Sequence, residues 1–354
     1  MILYEEPEKI KWHITYGAFY TLFIHFIDKY CYNDIINKGV DRMTLFLIIL
    51  AVLTALVLLT SYICFRMAFY ADRKPENLAD EFDIPESSIY GGFRDLLVEW
   101  MKAAKRLPQE DISIQTFDGL TLWGTYFEYA PGAPIEILFH GYRGHANREM
   151  SGAVRRCHSL GHSALIVDQR ACGRSGGHVI TFGVNESRDC LSWIDYVISR
   201  FGPDVKIILA GVSMGAGTVV MASGRGLPKN VIGILADCGY TSPEDIIKKV
   251  ISVDMKLPAG PAYPFVQLGA KIFGGFNIDE LTPIDATRNT QVPILFIHGD
   301  IDTFVPCEMS VRCHEANPAA TRLHIIPNAG HGLAYPVDQE GYIKAAREFF
   351  STLE

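Results

Sequence analysis

Residues 206–224 read KIILAGVSMGAGTVVMASG, in which an apolar run, a G-x-S-x-G motif and a helical pattern follow one another directly. The run KIILA is typical of a buried strand, and AGTVVMASG is typical of a helix that packs on a sheet. Gly211 and Gly215 lack a Cβ atom, so strand and helix can approach closely on either side of Ser213. A G-x-S-x-G motif also occurs in ordinary glycine-rich turns. Here a strand directly before it and a helix directly after it predict a serine at the tip of a sharp turn, beside a helix N-terminus that stabilises negative charge.

Runs of the same kind recur on both sides of this unit. A hairpin is predicted from 112–116 and 121–129 around the turn signal Asp118-Gly119. Six buried strands are predicted at 134–140, 163–169, 205–211, 231–237, 292–298 and 321–327. Helical patterns between them favour a mostly parallel sheet that is covered by helices on both faces. We therefore expect one α/β domain of eight strands over residues 111–354.

A serine hydroxyl is a weak nucleophile unless a base removes its proton and an acid orients that base. His331 lies in the glycine-flanked loop NAGHG after the last predicted strand, whereas His314 and His324 fall in a predicted helix and strand. We therefore predict His331 as the base. Two carboxylates, Asp300 and Asp302, follow the strand 292–298 and are both candidates for the acid.

Composition excludes several other classes of function. The chain has 354 residues and a net charge of −8, and no basic stripe is visible, so we expect no nucleic-acid partner. The eight cysteines lie far apart without a C-x-x-C pair. His158 and His162 have helical spacing but lack the H-E-x-x-H pattern of a zinc site. We expect neither a metal nor a cofactor, and a small molecule as the substrate.

An apolar segment precedes the α/β domain. Residues 44–65 are 22 residues without a charge, which as a helix reach roughly 33 Å and cross a bilayer. A cleaved signal peptide would begin nearer the N-terminus and end in small residues. Within the N-terminal segment 1–43, residues 13–27 favour an interfacial helix, with a second span as the alternative. Basic residues flank 44–65 equally on both sides, so the sequence does not assign the membrane face of the α/β domain. It does not assign an oligomeric state either.

Residues 66–110 are predicted to form a neck. Residues 71–92 are polar and acid-rich, with Pro75 and Pro85, as in a linker. Residues 93–106 predict an amphipathic helix whose apolar face docks on the α/β domain.

On these motifs the chain resembles the α/β-hydrolase superfamily over residues 111–354, and most closely its membrane-anchored bacterial members that are similar to S33 aminopeptidases. The family motif H-G-x-x-D-x-x-V-P matches His298 to Pro306, which favours Asp302 as the acid and leaves Asp300 as a loop carboxylate. The family H-G motif after the third strand matches His140-Gly141. By this resemblance the backbone N–H groups of Tyr142 and Met214 form the oxyanion hole.

Other polar residues near these motifs receive structural roles. The stretch from Asp168 to Gly177 resembles the family pattern D-x-R-G-x-G-x-S, with Ala171 in place of a glycine, and we expect Asp168 and Arg170 to brace a loop. Arg143 and His145 are interpreted either as ligands of a substrate carboxylate or, preferably, as loop-bracing residues.

The segment from about 241 to 283 is longer than a plain helical crossover and predicts a small helical cap. Its apolar residues either line a lid for an acyl or lipophilic substrate or pack the crossover on the sheet; they are Val250, Met255, Leu257, Phe265, Leu268, Ile272, Phe273 and Phe276. The resemblance implies a membrane-anchored serine hydrolase, foremost a carboxylesterase. An amidase, a peptidase, an acyltransferase and a non-catalytic binding protein on the same fold are the alternatives.

Overall fold

The computed structural model describes residues 41–72, 84 and 92–353. The segment 13–27 and most of the predicted linker lie outside the described residues. The strands are β1 (Glu110–Gln115), β2 (Thr121–Phe127), β3 (Ile135–Phe139), β4 (Ser163–Val167), β5 (Ile207–Val212), β6 (Val231–Asp237), β7 (Ile294–Gly299) and β8 (Thr321–Ile326). The helices are α1 (Arg42–Ala68), α2 (Arg94–Lys105), α3 (Ala146–Leu160), α4 (Glu186–Phe201), α5 (Met214–Ser223), α6 (Pro243–Lys249), α7 (Ala259–Gly269), α8 (Pro283–Asn289), α9 (Glu308–Ala316), α10 (Ala334–Val337) and α11 (Gln339–Phe350).

The eight strands form one sheet in the order β1-β2-β4-β3-β5-β6-β7-β8, which confirms the predicted fold class. β1, β2 and β4 pair antiparallel, and β3 to β8 run parallel to one another. The register places Gly211 of β5 beside Phe139 of β3 and Ala236 of β6. Because parallel strands end at the same edge of a sheet, the loops after β3, β5, β7 and β8 meet there.

Helices cover both faces of the sheet. The first face buries a cluster around Trp193 of α4 and Val219 of α5. The second face buries a cluster around Met150 of α3 and Tyr342 of α11, and α2 packs over it through Trp100. Buried apolar strands between two helical layers explain why the strand segments read as nearly continuous apolar runs.

The hairpin turn differs from the two-residue turn that Asp118-Gly119 predicts. The Thr116 N–H donates to the Leu120 carbonyl, and the Gly119 N–H donates to the Thr116 carbonyl. Gly119 has a φ of +84°, in the left-handed region. The loop therefore has three residues, with the glycine at the position that needs positive φ.

Helix α1 is the one helix among the described residues that is long and apolar enough to cross a membrane. Most of its apolar side chains from Met43 to Leu59 are exposed. Beyond them Ser61 and Phe65 are buried against α7, where Gly269 lets the two backbones approach. The helix runs past the predicted end at residue 65 to Ala68, and Phe69 is fully buried. Residues 66–72 of the predicted neck thus pack on the α/β domain instead of leading away from it.

The predicted cap is formed by α6, α7 and two π-helical turns, Val250–Asp254 and Ala270–Gly274. Its apolar residues differ in burial. Ile251, Val266 and Phe276 are buried against the domain or α1. A second set is exposed: Val253, Met255, Leu257, Ile272 and Phe273.

Candidate active site

Ser213 stands on a strained turn between β5 and α5. Its backbone has φ +56° and ψ −115°, a conformation that residues other than glycine rarely adopt. A Cβ on Gly211 would overlap the backbone of Gly215, and a Cβ on Gly215 would overlap the Phe139 carbonyl. The two glycines of the motif therefore allow the turn to close and to pack against β3.

The structure brings the three side chains that the sequence singled out into one hydrogen-bonded chain. The Ser213 hydroxyl lies 2.9 Å from Nε2 of His331, and Nδ1 of His331 lies 2.7 Å from Oδ2 of Asp302. An ionised carboxylate only accepts hydrogen bonds, so the imidazole proton belongs on Nδ1 and Nε2 is the acceptor for the serine. The arrangement can move a proton from the serine hydroxyl to the imidazole.

Asp302 is held by the turn that follows β7. Its Oδ1 accepts from the N–H groups of Phe304 and Val305, each at 2.9 Å. His298 lies 3.2 Å from Oδ2 through Nε2. Burial opposes ionisation of Asp302, but the hydrogen bonds from His298 and His331 outweigh it and keep the pKa of this carboxyl below its ordinary value. Asp302 is therefore an acceptor of fixed orientation and charge.

Asp300, the other carboxylate after β7, has a different partner. Its Oδ1 accepts from the N–H of Asn328 at 2.6 Å. Asn328 has a φ of +60° and begins the loop that carries His331. Asp300 therefore braces the histidine loop through the backbone of Asn328.

The loop after β3 lies against Ser213. Met214 is the first residue of α5, so its N–H belongs to the helix N-terminus, where amides have no acceptor within the helix. Gly141 lies close to the Ser213 side chain, and its N–H donates to Oε2 of Glu149 at 2.7 Å. Sequence reasoning missed Glu149, which holds this loop from the first turn of α3.

The same loop is tied to the end of helix α1. The Tyr142 hydroxyl donates to the Ala68 carbonyl at 2.7 Å. The Arg143 guanidinium donates to the carbonyls of Met67 at 3.0 Å and Tyr70 at 2.9 Å. The last carbonyls of a helix lack partners within the helix and carry partial negative charge, which suits a cation. Arg143 thus braces the loop, and its own φ of +55° is held in place by these contacts.

The remaining polar residues of the motifs are also structural. Asp168 accepts from the Ala146 N–H at 2.8 Å, and Arg170 pairs with Asp189 and Asp118. His145 caps the N-terminus of α3. Ala171, which replaces the family glycine, has a φ of +61° and keeps the left-handed conformation despite its side chain.

One group of possible metal ligands exists among the described residues, with donor atoms within 4.8 Å of one another: Cys238, Asp302 and His331. Burial raises the pKa of the Cys238 thiol well above its ordinary value, which disfavours the thiolate that a metal needs. Both ring nitrogens of His331 already contact Asp302 and Ser213. The group fits the hydrogen-bonded chain better than it fits a metal.

A buried carboxyl lies behind the serine. Asp237 ends β6, and its carbonyl accepts from the Ser213 N–H at 2.8 Å. Its side chain borders a small cavity that Arg148, Arg156 and Tyr335 also line. Burial outweighs the attraction of His298 and the hydrogen bond from Tyr342, and raises the Asp237 pKa to about 6. The sequence placed this residue at the end of a strand without a role.

Comparisons with known proteins agree with this architecture. The model of the dienelactone hydrolase family matches residues 263–350, about a quarter of the chain. The uncharacterized protein YqkD of Bacillus subtilis is 26% identical over 194 residues, which cover 55% of this chain and 64% of YqkD. The uncharacterized protein YfhR of Escherichia coli is 24% identical over 278 residues, which cover 76% of this chain and 86% of YfhR.

Two solved structures share the fold. The Pyrococcus furiosus esterase Pf2001 superposes with a TM-score of 0.59 at 23% identity, over 71% of this chain and 93% of the esterase. A membrane phospholipase A described as a bacterial virulence factor superposes with a TM-score of 0.51 at 15% identity, over 73% of this chain and 91% of the phospholipase. The resemblance to the S33 subgroup stays a prediction. By its sheet topology and its structural neighbours, the chain has the α/β-hydrolase fold.

Proposed function

We propose that this protein is a membrane-anchored serine hydrolase that cleaves carboxylic esters through an acyl-enzyme on Ser213. The observation that carries the proposal is the continuous hydrogen-bonded chain from Ser213 through His331 to Asp302, which stands at the tip of a strained strand–turn–helix unit. Acyl transfer needs a serine hydroxyl, a base beside it and an acid that orients the base. Here the buried Ser213 lies 2.9 Å from the partly buried His331, whose other ring nitrogen contacts Asp302.

In the first half of the reaction His331 takes the proton of Ser213 as Oγ attacks the ester carbonyl carbon. The oxyanion that forms accepts from the N–H groups of Tyr142 and Met214, and the Asp302 carboxylate stabilises the imidazolium. His331 then gives its proton to the departing alcohol oxygen, and the acyl group stays on Ser213. In the second half His331 deprotonates a water molecule whose oxygen attacks the acyl carbonyl carbon. The bond from that carbon to Oγ of Ser213 then breaks, His331 returns the proton to Oγ, and the acid is released.

The membrane part of the proposal rests on α1. Its exposed apolar surface from Met43 to Leu59 has no protein partner among the described residues, and apolar side chains in such number are stable in lipid. We propose a single span over 44–65, with the bilayer as its partner. Two of the structural neighbours are an esterase and a phospholipase A, which supports a lipophilic ester as the proposed substrate class.

A fluorophosphonate probe tests the nucleophile. The wild-type chain should be labelled and Ser213→Ala should not; equal labelling of both would refute the proposal. Hydrolysis of p-nitrophenyl esters of graded chain length, set against aminoacyl anilides, tests the ester preference, and faster anilide cleavage would transfer the proposal to amide hydrolysis.

A matched pair of variants tests the acid. Asp302→Asn should lower kcat by roughly 10⁴, because it leaves the imidazole in the wrong tautomer. Asp300→Asn should have a much smaller effect, since that carboxylate contacts the Asn328 N–H instead of the imidazole. An equal loss in both variants would contradict the assigned roles.

A further inference from the structure

The cap and helix α1 share an exposed apolar surface. Tyr62 of α1 and Phe273 of the second π turn contact each other edge to face, with ring centroids 5.2 Å apart. Both rings remain substantially exposed, as do their chain neighbours Ile63 and Ile272. We name these four residues the interfacial patch.

The depth at which the interfacial patch would lie in a bilayer follows from the positions of the charges on α1. Residues 43–65 contain no charge, and Arg42 and Arg66 stand at the two ends. This run measures roughly 34 Å along the helix, slightly more than a bilayer core of about 30 Å. Charged side chains at helix ends reach into the headgroup layer. Residues 61–65 therefore lie at the boundary between acyl chains and headgroups, where tyrosine rings are enriched.

The cap meets α1 at this depth. Gly269 packs against the Ser61 carbonyl, and the Phe273 ring lies 6.0 Å from that of Phe65. A cap that touches the last turns of the uncharged run reaches the bilayer boundary with them. Lys271 is exposed beside Ile272, and its apolar stem with a terminal charge suits a position at a membrane surface.

We propose that the π turn Ala270–Gly274 is seated in the interfacial layer of the bilayer, so that the active site takes esters dissolved in that layer. The inference rests on the membrane anchor and the ester hydrolysis proposed above. It adds a second point of membrane contact, on the cap, and narrows the substrate class to esters whose hydrocarbon part partitions into lipid.

Aromatic side chains connect the patch to the candidate oxyanion hole. From Phe273 the contacts pass to Phe65 at 6.0 Å and on to Phe69 at 6.4 Å. Phe69 contacts Phe182 at 5.7 Å, and Phe182 contacts Tyr142 at 5.1 Å. Met214 belongs to the same apolar cluster. Phe65 and Phe69 are themselves buried, so the cap, the end of α1 and the loop that carries Tyr142 share one packed apolar core.

Depth-dependent fluorescence quenching tests the seating. The full chain is reconstituted into liposomes after Cys31, Cys64 and Cys307 are replaced by Ser, and Phe273→Cys is labelled with an environment-sensitive dye. The matched control is Tyr129→Cys, which is similarly exposed but lies after β2 at the opposite edge of the sheet from Ser213. We expect lipids brominated near the headgroup to quench the label at 273 and not at 129, and aqueous iodide to do the reverse.

Two outcomes would overturn the seating. Equal quenching of both labels by iodide would place residue 273 in water. Protection of residue 273 from iodide without quenching by brominated lipid would mean that another protein, such as a second copy of the chain, covers the patch.

An activity measurement tests the substrate route. Phe273→Asp should lower hydrolysis of a long-chain ester dissolved in the liposomes by roughly tenfold, because a charge at this depth opposes contact with lipid. Hydrolysis of a water-soluble short-chain ester should stay unchanged, and Tyr129→Asp should change neither rate. Equal losses on both esters, or no loss on either, would refute the route. If lipid quenches residue 273 but Ser213 resists the fluorophosphonate probe, the hydrolase proposal fails while the seating stands.

Discussion

Replacing the buried carboxyl behind Ser213 should stabilise the protein above neutral pH. Asp237 is 4% exposed, and its Oδ1 has no hydrogen-bond partner among the described residues. Burial raises its pKa from 3.8 to about 6. Between about pH 4 and pH 6 Asp237 therefore stays protonated in the folded chain, and above about pH 6 it becomes a buried charge. In the unfolded chain water solvates the same carboxylate, so ionisation costs less there.

The size of the effect follows from the shift. A pKa of about 6 against 3.8 is a difference of about 2.2 units, and at 1.36 kcal/mol per unit this amounts to about 3 kcal/mol. Because the folded-state pKa is the higher one, the stability from this group is fully present below about pH 4 and is lost as the pH rises through about 6. Asp237→Asn carries no charge at any pH, so its advantage over wild type should appear across that window.

The assay is thermal unfolding of the full chain in detergent near pH 4 and near pH 8, where a domain of this size gains roughly 2–4 °C per kcal/mol. The midpoint of Asp237→Asn relative to wild type should rise by several degrees between the two pH values. Asp204→Asn, on the exposed loop before β5, is the control and should show no such change. If the Asp237→Asn difference is the same at both pH values, the carboxyl is solvated and the reasoning fails.

Three further predictions concern the site and its supports. Arg143→Gln should lower kcat on a soluble ester by about tenfold or more, with little change in KM, because two charged hydrogen bonds to the end of α1 are lost. Tyr142→Phe loses one neutral hydrogen bond and should lower kcat less. Wild-type kcat in Arg143→Gln would contradict this. Gly211→Ala should destabilise the fold by about 3 kcal/mol or more and abolish probe labelling, whereas Gly260→Ala, which meets no neighbouring atom, should unfold near the wild-type temperature. Phe69→Ala should lower the free energy of unfolding by about 3–5 kcal/mol, as measured by thermal unfolding, because the ring is fully buried. A decrease under about 1 kcal/mol would show that the end of α1 is only loosely docked.

The central strands were predictable because they are buried on both faces. β5, β6 and β7 carry apolar runs rich in Ile, Leu and Val, and each observed strand begins and ends within two residues of its prediction. The order of the strands was not readable from local pattern. β4 inserts between β2 and β3, a pairing set by contacts between segments distant along the chain.

The candidate site shows the same contrast between local motifs, which the sequence reveals, and long-range contacts, which it does not. Ser213 and His331 stood out because each lies in a glycine-flanked motif after a predicted strand, and the structure places both within hydrogen-bond reach. The contacts of Tyr142 and Arg143 with α1 join residues more than seventy positions apart, which no local pattern predicts. One signal was present: Phe69 and Tyr70 lie within five residues of the end of the apolar run, where a freely extended linker would be polar.

The contacts between Arg143 and the end of α1 bear on what happens if the chain is cut. Cleavage within residues 60–66 would separate the end of α1, with the carbonyls of Met67 and Ala68, from the apolar part of the helix, and would weaken the support of the loop beside Ser213. Many surface proteins can be shed by proteolysis as working soluble domains. For this chain we expect a different outcome: a detached α/β domain would retain Ser213, His331 and Asp302 but lose the contacts between the loop after β3 and the end of α1.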